Sequence, residues 1–194
     1  MKYRTILMIG APGSGKGTQG KILGTIPNFF HCACGDVFRS LRPDSEIGRI
    51  FVEHSSRGHL VPDETTVALW RDSISKAIAA GRFHPGEDIL VLDGIPRNLA
   101  QAERLSDALE VVAVFYLACT NRKNLVTRLQ RRAIKENRLD DANLDVIRDR
   151  LKIYERETKP VLNFYGKDVV HHINADQSPT AAFLSILKLI VKLR

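Results

Sequence analysis

Short apolar runs alternate along this chain with longer segments in which apolar residues recur at the spacing of a helix. The runs that predict β-strands are residues 5–9, 29–34, 89–92, 111–117 and 168–173. The segments that predict helices are residues 47–54, 64–80, 99–109, 121–134, 143–164 and 179–193, with shorter helices that begin at residues 19 and 36. Strands separated by helices favour an α/β fold, in which helices wrap both faces of one parallel sheet.

The composition is that of a compact globular protein. The chain has 194 residues, of which 44% are apolar and 26% charged, enough for one domain with a sizeable core. No apolar run reaches the ~18 residues that span a bilayer, and the first residues lack the pattern of a signal peptide. The three cysteines, Cys32, Cys34 and Cys119, have no zinc-binding spacing and leave an odd number for disulfides. We therefore expect a cytoplasmic protein with no membrane partner and no structural zinc.

A glycine-rich segment follows the first predicted strand directly and opens the first predicted helix. It reads Gly10-Ala11-Pro12-Gly13-Ser14-Gly15-Lys16-Gly17-Thr18. Strand, glycine loop and helix in this order are the context of a P-loop, whose backbone N–H groups turn inward around phosphate. The side chain of Lys16 adds a point charge, and the N-terminus of the helix adds its partial positive charge. We expect the phosphates of a nucleoside triphosphate to bind at Gly13, Ser14, Gly15, Lys16, Gly17 and Thr18.

Much of the net charge of +7 is concentrated in one segment. Between positions 122 and 138, one acidic residue, Glu136, stands against seven basic ones: Arg122, Lys123, Arg128, Arg131, Arg132, Lys135 and Arg138. Phosphate groups that converge on this segment explain the cluster, and a plain basic surface is the alternative. Arg128 and Arg132 are four residues apart and therefore share one face of a helix. A nucleic-acid partner is not expected, because no aromatic residue for base stacking lies within the segment.

A second candidate site lies at the end of the predicted strand 89–92. The segment reads Leu92-Asp93-Gly94-Ile95-Pro96-Arg97. A carboxylate at such a strand end can hold Mg²⁺ beside the P-loop phosphates, directly or through water, and we expect Asp93 and Thr18 to do so. The planar guanidinium of Arg97 suits a second phosphate group.

The ordered set of motifs resembles the nucleoside-monophosphate kinases, chiefly the adenylate kinases, over essentially the whole chain. The P-loop ends in the family's GKGT. Four further segments are similar to family motifs: residues 31–39 to STGDxxR, residues 60–64 to LVPDE, residues 93–97 to DGFPR, and residues 138–141 to RxDD. The resemblance implies the P-loop NTPase fold, with an NMP-binding insert at about residues 33–62 and a short lid at about residues 132–142. The core would then comprise residues 1–32, 63–131 and 143–194.

The resemblance implies a pocket for AMP as the phosphoryl acceptor. The residues that match its positions are Cys34, Arg39, His59, Leu60, Val61, Gly94, Arg97, Gln101, Arg138 and Arg150. An amide side chain at Gln101 has a donor and an acceptor that suit the edge of adenine. Three positions depart from the family pattern: Ala33 and Cys34 replace Ser and Thr, and Ile95 replaces Phe.

The resemblance also implies an ATP site and a catalytic set of cations. Beyond the P-loop, ATP would contact Arg128, Arg132 and Gln177. The cations that would act in the transfer are Lys16, Arg97, Arg128, Arg132, Arg138 and Arg150. The interval from Arg138 to Arg150 is about one residue longer than expected, so Arg148 is an alternative to Arg150.

The function expected from these observations is Mg²⁺-dependent phosphoryl transfer from ATP to AMP, giving two ADP, by a monomeric adenylate kinase. A kinase for UMP, CMP or a deoxynucleoside monophosphate is the alternative, since Cys34 and Ile95 alter the acceptor pocket. A third hypothesis is a nucleotide-binding module without transferase activity, and the full set of arginines argues against it.

Overall fold

The computed structural model describes residues 2–136, 138, 141 and 143–193. Leu139 and Asp140 of the RxDD-like segment, together with Asn137 and Ala142 of the predicted lid, lie outside the described residues.

The centre of the fold is a five-stranded parallel sheet with strand order β2-β3-β1-β4-β5. The strands are β1 (Tyr3–Gly10), β2 (Phe29–Ala33), β3 (Ile89–Asp93), β4 (Leu109–Ala118) and β5 (Val170–Asn174). Because β1 lies between β3 and β4, the chain builds the sheet outward in both directions from its first strand. All strands are parallel, so their carboxyl ends meet at one edge, where loops can form a binding crevice.

Helices cover both faces of the sheet. They are α1 (Lys16–Leu23), α2 (Cys34–Arg39), α3 (Glu46–Ser56), α4 (Asp63–Ala79), α5 (Leu99–Leu105), α6 (Arg122–Glu136), α7 (Leu144–Ile153) and α8 (Pro179–Ile190). Residues 5–10 of β1 are all buried, as a central parallel strand requires. Alternate residues enter different cores: Leu7 packs in the cluster that contains Trp70 of α4, and Ile6 packs in the cluster that contains Ile186 of α8. The predicted α/β class is therefore confirmed.

Two predicted helices end well before the expected residue, and the helix predicted over 179–193 ends slightly early, at Ile190. The helix predicted over 99–109 ends at Leu105, and Leu109 is already the first residue of β4. The helix predicted over 143–164 ends as an α-helix at Ile153, continues as a π-helical turn over Tyr154–Thr158, and finishes as a 3₁₀ turn over Lys159–Asn163. Pro160 has no N–H to donate to the carbonyl one helical turn earlier, so a regular α-helix cannot continue through it.

None of the helices in the described part of the chain is both long and apolar enough to cross a membrane.

The helix that follows the P-loop, α1, packs closely on β2, which is an outermost strand of the sheet. A Cβ atom added at Gly20 would lie 2.4 Å from Nε2 of His31, and one added at Gly24 would lie 2.7 Å from its Cβ. The His31 ring therefore fills the space that the two glycines leave. Its Nε2 is buried and has no hydrogen-bond partner among the described residues.

Substitution Gly20→Ala is expected to destabilise the protein through overlap of the new methyl group with the His31 ring. Overpacking of this kind typically costs about 1–3 kcal/mol in the free energy of unfolding, measured here by urea denaturation. In a His31→Ala background the same substitution should cost much less, because the ring is gone. An equal cost of Gly20→Ala in both backgrounds would contradict this account of the contact.

Candidate active site

One cleft of about 570 Å³ opens at the carboxyl edge of the sheet. Its walls come from the P-loop, α2, residues 58–61, residues 93–97, α6 and the end of α7. All the residues predicted from the sequence to bind nucleotide or to act in the transfer line this cleft. Those residues are Gly13, Ser14, Gly15, Lys16, Gly17, Thr18, Cys34, Arg39, His59, Leu60, Val61, Asp93, Gly94, Arg97, Gln101, Arg128, Arg132, Arg138, Arg150 and Gln177.

The P-loop takes the shape that its glycines permit. Gly13 and Gly15 have φ of 83° and 98°, in the left-handed region that favours glycine. A Cβ at Gly13 would also lie 2.9 Å from the backbone oxygen of Leu125. Gly15 is the N-cap of α1, and Lys16 is its first residue. The loop therefore ends at a helix N-terminus, an arrangement that attracts phosphate.

Lys16 points along the loop and lies in the cleft. Its Nζ donates to the backbone oxygens of Gly10 at 2.7 Å and Ala11 at 3.1 Å. Burial lowers the pKa of Lys16 to about 8; the charge of Asp93 opposes this shift, and nearby arginines reinforce it. A bound phosphate would bring negative charge to the ammonium and favour its protonated form.

Asp93 lies at the end of β3 beside the P-loop. It is opposite Met8 in the sheet and 9% exposed. A Cβ at Gly17 would lie 3.4 Å from its Oδ2, so the carboxylate and the P-loop are neighbours. Among the described residues, no group of three or more acidic, histidine or cysteine side chains could hold a metal by itself. The donor set of Asp93 and Thr18 fits Mg²⁺, which keeps several waters and binds through one or two protein oxygens plus phosphate.

Two predicted arginines are held by one buried carboxylate. Asp141 is 0% exposed and forms ion pairs with both Arg132 and Arg150. Nε of Arg132, at 2.7 Å, and its Nη2, at 2.6 Å, both approach Oδ2 of Asp141, and Arg150 approaches the other oxygen, Oδ1. Arg150 lines the cleft, whereas Arg148 is exposed outside it and pairs with Asp145. The structure thus brings Arg150 to the site and leaves Arg148 out.

A second acidic residue, Asp36, joins three separate parts of the chain. Its carboxylate lies 2.6 Å from Arg39 of α2, 3.5 Å from Arg138 and 3.9 Å from Lys21 of α1. Burial alone would raise the pKa of Asp36, but the hydrogen bond from Arg39 and the three positive charges lower it below its ordinary value. Asp36 therefore stays ionised and holds Arg39 and Arg138 close together.

Gln101, predicted to contact the acceptor base, has an amide that is bonded at both ends. Gln101 is 1% exposed; its Oε1 accepts from the backbone N–H of Arg97 at 2.7 Å, and its Nε2 donates to Asp63 at 2.7 Å. Each end of the amide thus makes one bond within the protein, and one donor and one acceptor site remain for a base. Cys34 is 2% exposed, and burial raises the pKa of its thiol to about 11, so it presents a neutral S–H group.

Comparison with known proteins identifies the family. A family model described as "Adenylate kinase" matches residues 8–170. The chain belongs to the adenylate kinase family. It is 37% identical to the adenylate kinase of Thermobifida fusca, over 84% of each chain. It is also 37% identical to the adenylate kinase of Kocuria rhizophila, over 82% of this chain and 84% of the relative. The adenylate kinase of Lachnospira eligens is 30% identical and matches over 95% of this chain and 99% of its own.

Membership in the adenylate kinase family confirms the resemblance found in the sequence and the class of enzyme it implied. Adenylate kinases are nucleoside-monophosphate kinases, which transfer a phosphoryl group between nucleotides. The hypothesis of a binding module without transferase activity is not supported.

Sequence reasoning assigned no role to several residues that shape this adenylate-kinase cleft. Asp141 stood in the RxDD-like segment, but nothing in the pattern showed that it is buried between two arginines. Asp63 was noted only as part of a loop motif, although it holds the amide of Gln101. Thr158 lay inside the helix predicted over 143–164, where no signal distinguished it from its neighbours. The role of each of these residues depends on contacts with distant parts of the chain, which a local sequence pattern does not show.

The lowered pKa of Lys16 predicts that ATP binding weakens in the alkaline range. The ammonium attracts phosphate only while it is protonated, so affinity should fall as pH rises past about 8 and approach a tenfold loss per pH unit. Titration calorimetry of Mg·ATP between pH 7 and pH 9.5 measures this. The Lys16→Met variant should bind weakly and without this slope. A parent affinity that is constant over the range, or an unchanged slope in Lys16→Met, would contradict the prediction.

Proposed function

We propose that this chain catalyses reversible, Mg²⁺-dependent transfer of the terminal phosphoryl group of ATP to AMP, which yields two ADP. The observation that carries the proposal is the continuity of the cleft. The P-loop follows β1, Arg39 lies on α2 after β2, Arg97 follows β3, and the arginines of α6 and α7 line the same cleft. A cleft that only bound ATP would not need a second set of cations beyond the P-loop.

ATP would occupy the P-loop end. The residues proposed to hold it are Gly13, Ser14, Gly15, Lys16, Gly17, Thr18, Arg128, Arg132 and Gln177. The loop that carries Gln177 is tied to the phosphate side by Arg128, whose Nη1 donates to the backbone oxygen of Ala175 at 2.9 Å. It is also tied to α1 by Gln19, whose Nε2 donates to the oxygen of Pro179 at 3.0 Å. Because these bonds connect the Gln177 loop to α6 and α1, they support the proposal that one continuous surface binds both the base and the phosphates of ATP.

AMP would occupy the part of the cleft near Arg39 and Arg97. The residues proposed to hold it are Cys34, Arg39, His59, Leu60, Val61, Gly94, Arg97, Gln101, Arg138 and Arg150. Gly94 has a φ of 86°, which lets the chain turn sharply between β3 and Arg97. Arg97 donates from Nε to the oxygen of Gly94 at 2.9 Å, which folds its guanidinium back over this turn.

The transfer needs position and charge neutralisation rather than a covalent protein intermediate. The bond between the terminal phosphorus and its bridging oxygen breaks as a bond to a phosphate oxygen of AMP forms. The cations proposed to stabilise the transferred group are Lys16, Arg97, Arg128, Arg132, Arg138 and Arg150. Loss of one such cation from a water-poor site costs about 2–4 kcal/mol of barrier. Asp93 and Thr18 would hold Mg²⁺, which neutralises phosphate charge when bound.

Two segments are proposed to act as flaps over the nucleotides: the NMP-binding insert at about residues 33–62 and the short lid at about residues 132–142. Closure of both would exclude water, which could otherwise accept the phosphoryl group. The ion pair between Asp36 and Arg138 joins the two segments and supports this proposal.

The protein is further proposed to be a cytoplasmic monomer. All three cysteines are free thiols, as expected in a reducing compartment.

A second candidate function is a kinase for UMP, CMP or a deoxynucleoside monophosphate. The observation that favours it is the state of Gln101, whose amide already bonds to Arg97 and Asp63 and so has one donor and one acceptor site left for a base. The neutral thiol of Cys34 is also a weaker hydrogen-bond donor than a hydroxyl group at the same place.

A panel of acceptors tests the proposal. Initial rates of ADP formation from Mg·ATP are measured with AMP, dAMP, CMP, UMP and GMP. A strong preference for AMP is the expected result. A preference for a pyrimidine nucleotide would support the second candidate instead. Absence of transfer to every acceptor, with ATP binding intact, would contradict both functions.

The role of Gln101 is tested by the shorter amide in Gln101→Asn. Loss of one base contact should lower the ratio of kcat/KM for AMP over UMP by about tenfold, the effect of roughly one hydrogen bond. Gln130→Asn, at an exposed position on α6, is the matched control and should leave the ratio unchanged. The same AMP-to-UMP ratio in the parent and in folded Gln101→Asn would exclude Gln101 as the residue that reads the base.

A further inference from the structure

The π-helical turn after α7 changes which side chains face the cleft. A π turn inserts one extra residue into a helix, which rotates the following side chains by about 100° around the axis. Ile153, Tyr154 and Thr158 all line the cleft, at the beginning and end of this turn. The turn therefore determines which of its residues approach the loop after β3.

Thr158 forms a direct bond to that loop. Its Oγ1 donates to the backbone oxygen of Arg97 at 2.7 Å, and the two residues are 61 positions apart in the sequence. A bond of this length is a good hydroxyl-to-carbonyl hydrogen bond. It joins the C-terminal half of the chain to the segment that carries the acceptor-side arginine.

The other bonds to Arg97 come from its own neighbourhood. Its backbone N–H donates to Gln101, and its Nε donates to the oxygen of Gly94. Within the part of the chain that the structure describes, no carboxylate forms a salt bridge with the Arg97 guanidinium. The direction of the guanidinium is therefore set by the backbone of residues 94–97. Gln101 and Thr158 both bond to this backbone from outside the segment, and Thr158 is the one that comes from a distant part of the chain.

We infer that Thr158 is a positioning residue for Arg97, and that it sets the affinity for the phosphate of the acceptor nucleotide. The inference rests on the proposed function, in which Arg97 binds that phosphate. Thr158 would act through the carbonyl group of Arg97. Among the described residues, its hydroxyl group donates to Arg97 and forms no hydrogen bond with the P-loop. Its effect should therefore fall on the acceptor rather than on ATP.

The test compares Thr158→Val with Thr158→Ser. Valine has nearly the same shape but leaves the Arg97 carbonyl without its donor, whereas serine keeps the hydroxyl group. We expect Thr158→Val to raise KM for AMP about three- to tenfold, with KM for ATP within about twofold of the parent. Thr158→Ser should recover most of the loss. The control is Thr127→Val, which removes an exposed hydroxyl that bonds only within α6.

The outcomes separate this inference from the proposed function. Parent activity with AMP tests the function, and AMP binding to each protein by titration calorimetry gives a readout that does not need turnover. If the parent binds and phosphorylates AMP but Thr158→Val does so equally well, the inference is overturned and the function stands. If KM for ATP and KM for AMP rise together and serine does not restore them, Thr158 has a general structural role, which also overturns the inference. A parent that neither binds nor phosphorylates AMP contradicts both.

Discussion

The candidate site contains many positively charged side chains in one cleft, and their mutual repulsion must be offset by nearby carboxylates. The cations that line it include Lys16, Arg39, Arg97, Arg128, Arg132, Arg138 and Arg150. Three carboxylates hold four of them: Asp141 lies between Arg132 and Arg150, Asp36 lies between Arg39 and Arg138, and Glu136 also pairs with Arg138. Because Asp141 is fully buried, the cost of its desolvation offsets much of its attraction to the arginines, and its main effect is to hold the guanidinium groups of Arg132 and Arg150 close together. These ion pairs therefore hold the cations together in the cleft without a nucleotide.

The sheet places these charges together. In the order β2-β3-β1-β4-β5, the central strand β1 ends in the P-loop, and its neighbour β3 ends in Asp93. The carboxyl ends of parallel strands share one edge, so the phosphate cradle and the carboxylate proposed for Mg²⁺ become neighbours. Gly20 and Gly24 allow α1 to approach the His31 ring on β2, which keeps the P-loop helix at a fixed distance from the sheet.

Local patterns predicted much of this arrangement. The glycine spacing of the P-loop, the strand ending in Asp93, and the four-residue interval between Arg128 and Arg132 each determine geometry within a few residues. The sequence could not show that Gln101 is held by Asp63, since that pairing depends on how α4 packs beside α5. The π turn was missed for a related reason. Residues 154–158 have ordinary helical character, and the turn forms where α7 meets Pro160 and the loop of Arg97. The choice between Arg148 and Arg150 likewise needed the position of Asp141.

The central claim is that the cleft transfers phosphoryl groups between two nucleotides and excludes water as the acceptor. The most direct measurement follows the ³¹P resonances of Mg·ATP and AMP mixed with the protein. The account predicts that two ADP appear for each ATP consumed, that AMP is consumed in step, and that inorganic phosphate does not accumulate. Inorganic phosphate released in step with the loss of ATP, while AMP remains unchanged, would contradict it.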